Sequence, residues 1–71
     1  DKPINKIEFL IKHENELELI KQYISKDGDT DVQINLKNDN KNFIFHLKNK
    51  RYVDRKTINK LKTSNISLNI S

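Results

Sequence analysis

Few residues of this chain are of a type that does chemistry, and their spacing suits no common reaction. The two histidines, His13 and His46, stand 33 positions apart, and the chain has no cysteine. A zinc site needs closely spaced histidine, cysteine or carboxylate ligands, such as a pair of histidines on one helix turn. We therefore expect both histidines to be solvated or hydrogen-bonded at the surface.

Three aspartates, Asp27, Asp29 and Asp31, surround the only glycine, Gly28, in a pattern superficially similar to a calcium-binding loop. Such a loop also needs a later glycine and a bidentate glutamate at its twelfth position, where this chain has Asn38. A single glycine also excludes a glycine-rich phosphate loop. The sequence predicts no catalytic, cofactor-binding or metal-binding residue, and so no enzymatic activity of this chain itself.

Length and composition predict one small domain, residues 1–71, belonging to a longer protein. Only 34% of the 71 residues are apolar, which leaves little material for a core. The first residue is Asp1 rather than methionine, so we expect the gene to begin further upstream. The absence of cysteine suits a reducing, cytoplasmic location. The longest apolar run, residues 9–11, is far too short to span a membrane.

Hydrophobic periodicity predicts six elements in the order βαββαβ. Alternating apolar residues predict strands at residues 4–13, 32–37, 43–47 and 66–71, with a hairpin turn at 38–40. A helix is expected from an N-cap at Asn15, with Gly28 closing it in a left-handed conformation. A shorter helix is expected after the N-cap Asp54, with Ile58 and Leu61 facing inward.

This order predicts an α+β two-layer sandwich in which both helices cover one face of a four-stranded sheet. Ferredoxin-like topology is the commonest arrangement with this element order. The apolar strand positions should lie beneath the helices: Phe9, Ile34, Phe43, Phe45 and Leu68. Lys37 and His46 should be exposed.

Residues 41–47, Lys-Asn-Phe-Ile-Phe-His-Leu, partly match an RNA-recognition signature. Bases would stack on Phe43 and Phe45 only if these rings lay on the open face of the sheet, with Ile44 and His46 beneath the helices. The opposite arrangement buries more apolar surface and is favoured here. Single-stranded nucleic-acid binding is therefore the alternative function.

Basic residues are concentrated between positions 48 and 62, where one acid, Asp54, accompanies seven bases. They are Lys48, Lys50, Arg51, Arg55, Lys56, Lys60 and Lys62. Such a segment is either a solvated surface or a region facing phosphates or an acidic partner. Weak, nonspecific contact with DNA is the most that we expect from it.

The segment at residues 28–36, Gly-Asp-Thr-Asp-Val-Gln-Ile-Asn-Leu, closely resembles the G-D-T-P-V-x-L-x-L step near the C-terminus of the bacterial DNA polymerase III alpha subunit. The family's L-x-x-L-K-x-L-L helix is matched by residues 17–24, and its Arg-Val-Asp step by residues 51–54. Its closing helix and strand are matched by Ile58, Leu61, Ile66 and Leu68. Two departures are Asp31 in place of proline and Tyr52 between arginine and valine.

The resemblance covers nearly the whole chain and implies a non-catalytic scaffold role in DNA replication. In such subunits the region after the OB-fold domain contacts the tau subunit of the clamp loader, and the polymerase aspartates lie upstream. The implied parent protein is a DNA-directed DNA polymerase. The family's clamp-binding peptide, Q-x-x-L-F, is not matched by residues 65–70, which lack the glutamine and the aromatic residue.

If the domain docks onto a partner, the candidate contact residues are the apolar ones that the alternation leaves outside the core, namely Leu10, Ile44 and Tyr52. Leu10 and Ile44 are expected on the open face of the sheet, where they would form one patch. Lys48, Arg51 and Arg55 would surround this patch and steer an acidic partner towards it. The alternative is that Leu10 and Ile44 pack against the upstream OB-fold domain of the same chain.

Overall fold

A computed structural model describes residues 3–71 of the chain, so the first two residues of the expected 1–71 domain lie outside the described residues. The elements follow the expected βαββαβ order. They are β1 (Lys6–Ile11), α1 (Glu14–Tyr23), β2 (Asp27–Asn38), β3 (Lys41–His46), α2 (Arg55–Thr63) and β4 (Ser67–Ile70). Among the described residues, no helix has the length and apolarity that a membrane crossing requires.

The four strands form one mixed sheet in the order β3-β2-β1-β4. β1 and β2 pair directly and in parallel, while β3 and β4 pair antiparallel to β2 and β1. The α+β class is therefore confirmed, but the ferredoxin-like topology is wrong. That topology places another strand between the two strands that the first helix connects. Here β1 and β2 are adjacent, because α1 carries the chain over to the neighbouring position in the sheet.

The core lies between one sheet face and both helices. Ile7, Phe9 and Ile11 of β1 are buried, as are alternate residues of β2 from Thr30 to Leu36. One cluster joins the apolar members of this set to Ile20 and Ile24 of the α1 region and to Ile58 and Leu61 of α2. Both helices must therefore cover the same face, which leaves the other face open.

The first helix begins earlier than the sequence indicated. His13 is its N-cap, and the Glu16 carboxylate accepts hydrogen bonds from the backbone N–H groups of Lys12 and His13, at 3.0 and 2.9 Å. Asn15 already lies inside the helix, so its predicted capping role is wrong. Gly28 does not close the helix, since it lies in β2 and has no positive φ.

The second helix begins as predicted at Asp54, whose carboxylate accepts a hydrogen bond of 2.8 Å from the backbone N–H of Thr57. This bond holds the pKa of Asp54 below its ordinary value of 3.8. The helix ends at Thr63, and Asn65, just beyond its C-cap Ser64, takes the left-handed conformation at φ 64°. The hairpin turn also forms as predicted, with Asp39 left-handed at φ 54°.

The predicted burial of the β3 aromatic residues is wrong. Phe43 and Phe45 do point to the helix side, because they pair with the buried Leu36 and Ile34. They nevertheless remain 46% and 38% exposed. The two helices cover the centre of the sheet and β3 lies at its edge, so neither helix extends over these rings. Leu68, on the opposite edge strand, is only half-buried.

Candidate interaction surface

The open face of the sheet brings together residues that sequence reasoning placed outside the core. Strand register sets Ile44, Asn35, Leu10 and Ser67 in one row across all four strands. Leu10 is 41% exposed and Ile44 is 56% exposed. Asn35 lies between them, so the two apolar side chains flank one carboxamide on a shared surface.

A shallow groove of about 400 Å³ lies beside Leu10 on this face. It is lined by Leu10, Ile11, Lys12, Asn35, Lys37, Asn42 and Ser67. Lys12 and Lys37 supply the only charges of this lining, and both are positive. The groove therefore combines an apolar side chain, neutral amides and a basic border.

The other half of the open face is a network of polar side chains around one carboxylate. Gln33 and Asn35 each donate a side-chain hydrogen bond of 3.0 Å to Glu8 Oε2. Gln33 also donates to the side-chain oxygen of Asn35, at 2.9 Å, and Asn69 donates to Glu8 Oε1, at 3.4 Å. These bonds tie three strands together, so the surface is already ordered before any partner arrives.

Tyr52 is exposed, at 55%, but it lies far from Leu10 and Ile44. Its backbone N–H donates to the Lys26 carbonyl at 2.7 Å, and its backbone lies against Gly28. Gly28 is seven residues from Asn35 along β2, which is roughly 20 Å for an extended strand. Tyr52 therefore belongs to a different part of the surface.

Arg51 does not surround the open-face patch. Its Nη1 donates to the carbonyl of Ile24 at 3.2 Å, and its Nε donates to the carbonyl of Asn49 at 3.2 Å. Ile24 is the C-cap of α1, so the guanidinium lies at the negative end of that helix. Arg51 has a structural role that accounts for its position without a partner.

Lys48 and Arg55 are exposed. Both follow the C-terminal end of β3, whereas Leu10 and Ile44 lie nearer the hairpin turn at its N-terminal end. The basic border of the patch consists instead of Lys12 and Lys37. Sequence reasoning missed these two residues, together with the Glu8 network. Strand alternation could have identified the two lysines. Lys12 is two positions from Leu10, and Lys37 is two positions from Asn35, so each lies on the same face of the sheet as that neighbour.

The histidines and the three aspartates around Gly28 do not form one site. His46 lies on the open face opposite Gln33, while His13 caps α1. Asp27, Asp29 and Asp31 lie within strand β2 rather than in a loop. Within residues 3–71, no group of three or more histidine, cysteine or acidic side chains is arranged to hold a metal ion.

A second exposed apolar feature lies on the helix side of β3. The rings of Phe43 and Phe45 are stacked, with centroids 6.4 Å apart and planes 28° apart. Glu14, Leu17 and Glu18 of α1 line the space next to Phe45. This aromatic pair lies on the opposite side of the sheet from Leu10 and Ile44.

Comparison of the chain with protein-family models, with curated proteins and with solved structures finds no match.

Proposed function

We propose that this chain is a non-catalytic C-terminal domain of a bacterial DNA polymerase III alpha subunit, and that it docks the polymerase onto the tau subunit of the clamp loader. The motif resemblance along residues 17–68 supports the identity of the parent protein, a cytoplasmic DNA polymerase. The open face supports the docking role.

One observation carries the docking proposal: Leu10 and Ile44 flank Asn35 on an ordered, helix-free sheet face. Grouped exposed apolar side chains on a small domain usually mark an interface. The Glu8 network fixes the neighbouring amides, so binding there costs little ordering entropy. The patch is therefore suited to a preformed contact.

The charge of the groove indicates the chemistry of the partner surface. Lys12 and Lys37 border the groove around Leu10, and the chain as a whole has a net charge of +4. A partner segment with an apolar side chain flanked by carboxylates fits this border. We expect association with tau to slow as salt is raised, because screening weakens steering.

An NMR titration of the 71-residue chain tests where tau binds. Purified tau from the same genome is added to isotopically labelled chain, and perturbed amide and methyl signals are mapped. We expect the largest changes at Leu10, Lys12, Lys37 and Ile44, with little change at Tyr52. Perturbation confined to the segment around Tyr52 and Arg55 would place the contact elsewhere.

The alternative function, single-stranded nucleic-acid binding, is favoured by one observation, the exposed pair of stacked rings at Phe43 and Phe45. Aromatic rings accessible in this way can stack on bases. The pair lies on the helix side of the sheet, however, whereas RNA-recognition domains stack bases on the open face. The geometry therefore favours docking over this alternative.

Fluorescence titration with a labelled single-stranded oligonucleotide separates the two functions. We expect weak binding that is lost by physiological salt, since only nonspecific contacts of basic side chains with phosphates contribute. Submicromolar, salt-resistant binding that Phe43→Ala abolishes would establish the nucleic-acid function instead.

A further inference from the structure

Strand β3 is an edge strand with unusual apolar character. It has β2 on one side and no described strand on the other, and all six of its residues, Lys41–His46, are exposed. Proteins usually protect such edges with charges, proline or a bulge, because free backbone groups invite pairing with another chain. Here three of the six residues are large and apolar: Phe43, Ile44 and Phe45.

The free backbone groups of β3 can be assigned from its pairing with β2. Leu47 donates its N–H to the Val32 carbonyl at 3.0 Å, so positions 47, 45 and 43 direct their hydrogen bonds towards β2. In an antiparallel ladder the direction alternates along the strand. The N–H and C=O groups of Asn42, Ile44 and His46 therefore point outward.

The sequence of β3 is symmetric about Ile44, reading polar, Phe, Ile, Phe, polar from Asn42 to His46. A second copy laid antiparallel about this centre sets Ile44 against Ile44, Phe43 against Phe45, and Asn42 against His46. The outward-pointing backbone groups of Ile44 then face those of the second Ile44, and those of Asn42 face those of His46. Every free N–H and C=O of these three residues finds a partner.

The same arrangement covers the exposed rings. Its two-fold axis runs perpendicular to the sheet, so the helices of both copies lie on the same side. The Phe43–Phe45 pairs of both copies then meet between the two α1 helices, where both residues are partly exposed in the single chain. Aromatic side chains directly across two strands stabilise their pairing.

Charge does not oppose this pairing. Lys41 is the only lysine, arginine or acid in β3, and the register sets it against Leu47 rather than against a second lysine. Beyond the strand, the turn that carries the acidic Asp39 lies at the end of β3 that faces the basic segment Lys48-Asn49-Lys50 of the other copy. An acidic turn and a basic segment therefore lie at the same end of the contact, and the symmetry repeats this at the other end.

We propose that β3 is a self-association edge, through which two copies of this chain form a continuous sheet centred on Ile44. The exposed parts of Phe43, Ile44 and Phe45 contribute roughly 250–300 Å² of apolar surface per copy. A standard stable interface buries about 800 Å² per partner. The dimer therefore dissociates on dilution and forms as concentration rises.

Sedimentation equilibrium tests the dimer. Wild-type chain should move from 8.4 kDa at low concentration to about twice that mass at high concentration. Phe43→Lys should weaken association about tenfold or more, because it removes apolar contact at two symmetric positions. Tyr52→Lys is the matched control, since Tyr52 is an exposed aromatic residue away from the edge, and its dimer should form as in wild type. Circular dichroism verifies that each variant is folded.

Single-cysteine variants test the register, because the chain has no cysteine of its own. Hydrogen-bonded antiparallel partners have Cα atoms about 5.5 Å apart, within disulfide range. Ile44→Cys should therefore form a covalent dimer under mild oxidation. Asn42→Cys, on the same face of the same strand, should not, since its two copies are about 13 Å apart along the strand direction alone. A mixture of Asn42→Cys and His46→Cys should cross-link.

Equal cross-linking of Ile44→Cys and Asn42→Cys would overturn the proposed register. A chain that stays at 8.4 kDa at the highest concentration reached would overturn the dimer itself. If that monomer bound an oligonucleotide or an extended peptide, and Phe43→Lys abolished the binding, the edge would serve that ligand instead. Leu10→Asp should leave the dimer intact, so this proposal and tau docking succeed or fail separately.

Discussion

Gly28 and Tyr52 are in closer backbone contact than any side chain would permit. A Cβ atom added to Gly28 would lie 2.4 Å from the backbone nitrogen of Tyr52 and 2.5 Å from its Cα. Around this contact, Gly28 donates its N–H to the Lys50 carbonyl, and Tyr52 donates to the Lys26 carbonyl. The glycine thus allows the segment before α2 to pair with the start of β2.

Gly28→Ala should destabilise the domain by about 1–3 kcal/mol, the usual cost of overpacking. The clashing atoms belong to backbone, so they cannot move aside as a flexible side chain would. Urea denaturation monitored by circular dichroism measures the effect. Asp29→Ala, at an exposed neighbouring position, should change the free energy of unfolding by less than about 0.5 kcal/mol. Equal effects of the two variants would refute the steric explanation.

Arg51→Ala should lower the free energy of unfolding by about 1 kcal/mol, because it removes the hydrogen bond to the Ile24 carbonyl at the end of α1. Thermal unfolding is a suitable measurement. Arg55→Ala is the matched control: no side-chain hydrogen bond of Arg55 is present among residues 3–71, so its effect should be within about 0.5 kcal/mol. A larger loss for Arg55→Ala would mean that the structural role is assigned to the wrong arginine.

Phe9 and Phe45 lie in one row of the sheet, separated by Ile34, but they differ in burial. Phe9 is completely buried, so Phe9→Ala should cost about 3–5 kcal/mol, much of the stability of a small domain. Phe45 is 38% exposed and lies at the edge, so Phe45→Ala should cost about 1–2 kcal/mol in the monomer. Denaturation at low protein concentration, where the dimer is absent, gives both values. Similar losses would contradict the edge position of Phe45.

Asp54 should make stability depend on pH in the acid range. Its pKa in the folded chain lies below 3.8, chiefly because the Thr57 N–H donates to the carboxylate. A lowered folded pKa means that the carboxylate stabilises the folded state above 3.8, and that this contribution disappears as the pH falls through the folded pKa. Asp54→Asn keeps a capping side chain but cannot titrate. The stability difference between wild type and Asp54→Asn should therefore shrink on acidification, and a constant difference would exclude the proposed cause.

Local patterns were sufficient to predict the type and order of the elements, but not both ends of α1. Alternation identified the buried faces of β1 and β2, and the cap at Asp54 followed from its position before an apolar helical stripe. The sheet order could not be derived in this way, because βαββαβ chains can place β2 either beside β1 or one strand away. That choice depends on packing between distant residues, which no local pattern encodes.

The surface was harder to predict than the core. The alternation of side chains along each strand correctly placed Leu10 and Ile44 on the open face, since successive side chains point to opposite faces of the sheet. It could not show that Phe43 and Phe45 would stay exposed, because exposure depends on how far a helix extends across the sheet. Arg51 was misassigned for a similar reason: its hydrogen bond reaches a carbonyl 27 positions away.

The affinity of the chain for tau, measured by isothermal titration calorimetry, tests the docking proposal most directly. Leu10→Asp and Tyr23→Asp make a matched pair, since both side chains are 41% exposed and both changes add one negative charge. Leu10 lies on the open face, whereas Tyr23 lies in the helix layer, with its ring centroid 5.9 Å from Lys60 Nζ. We predict at least about tenfold weaker binding for Leu10→Asp, because a charge replaces the central apolar contact, and wild-type affinity for Tyr23→Asp. Unchanged affinity of folded Leu10→Asp, or no binding of tau by the wild-type chain, would contradict the proposal.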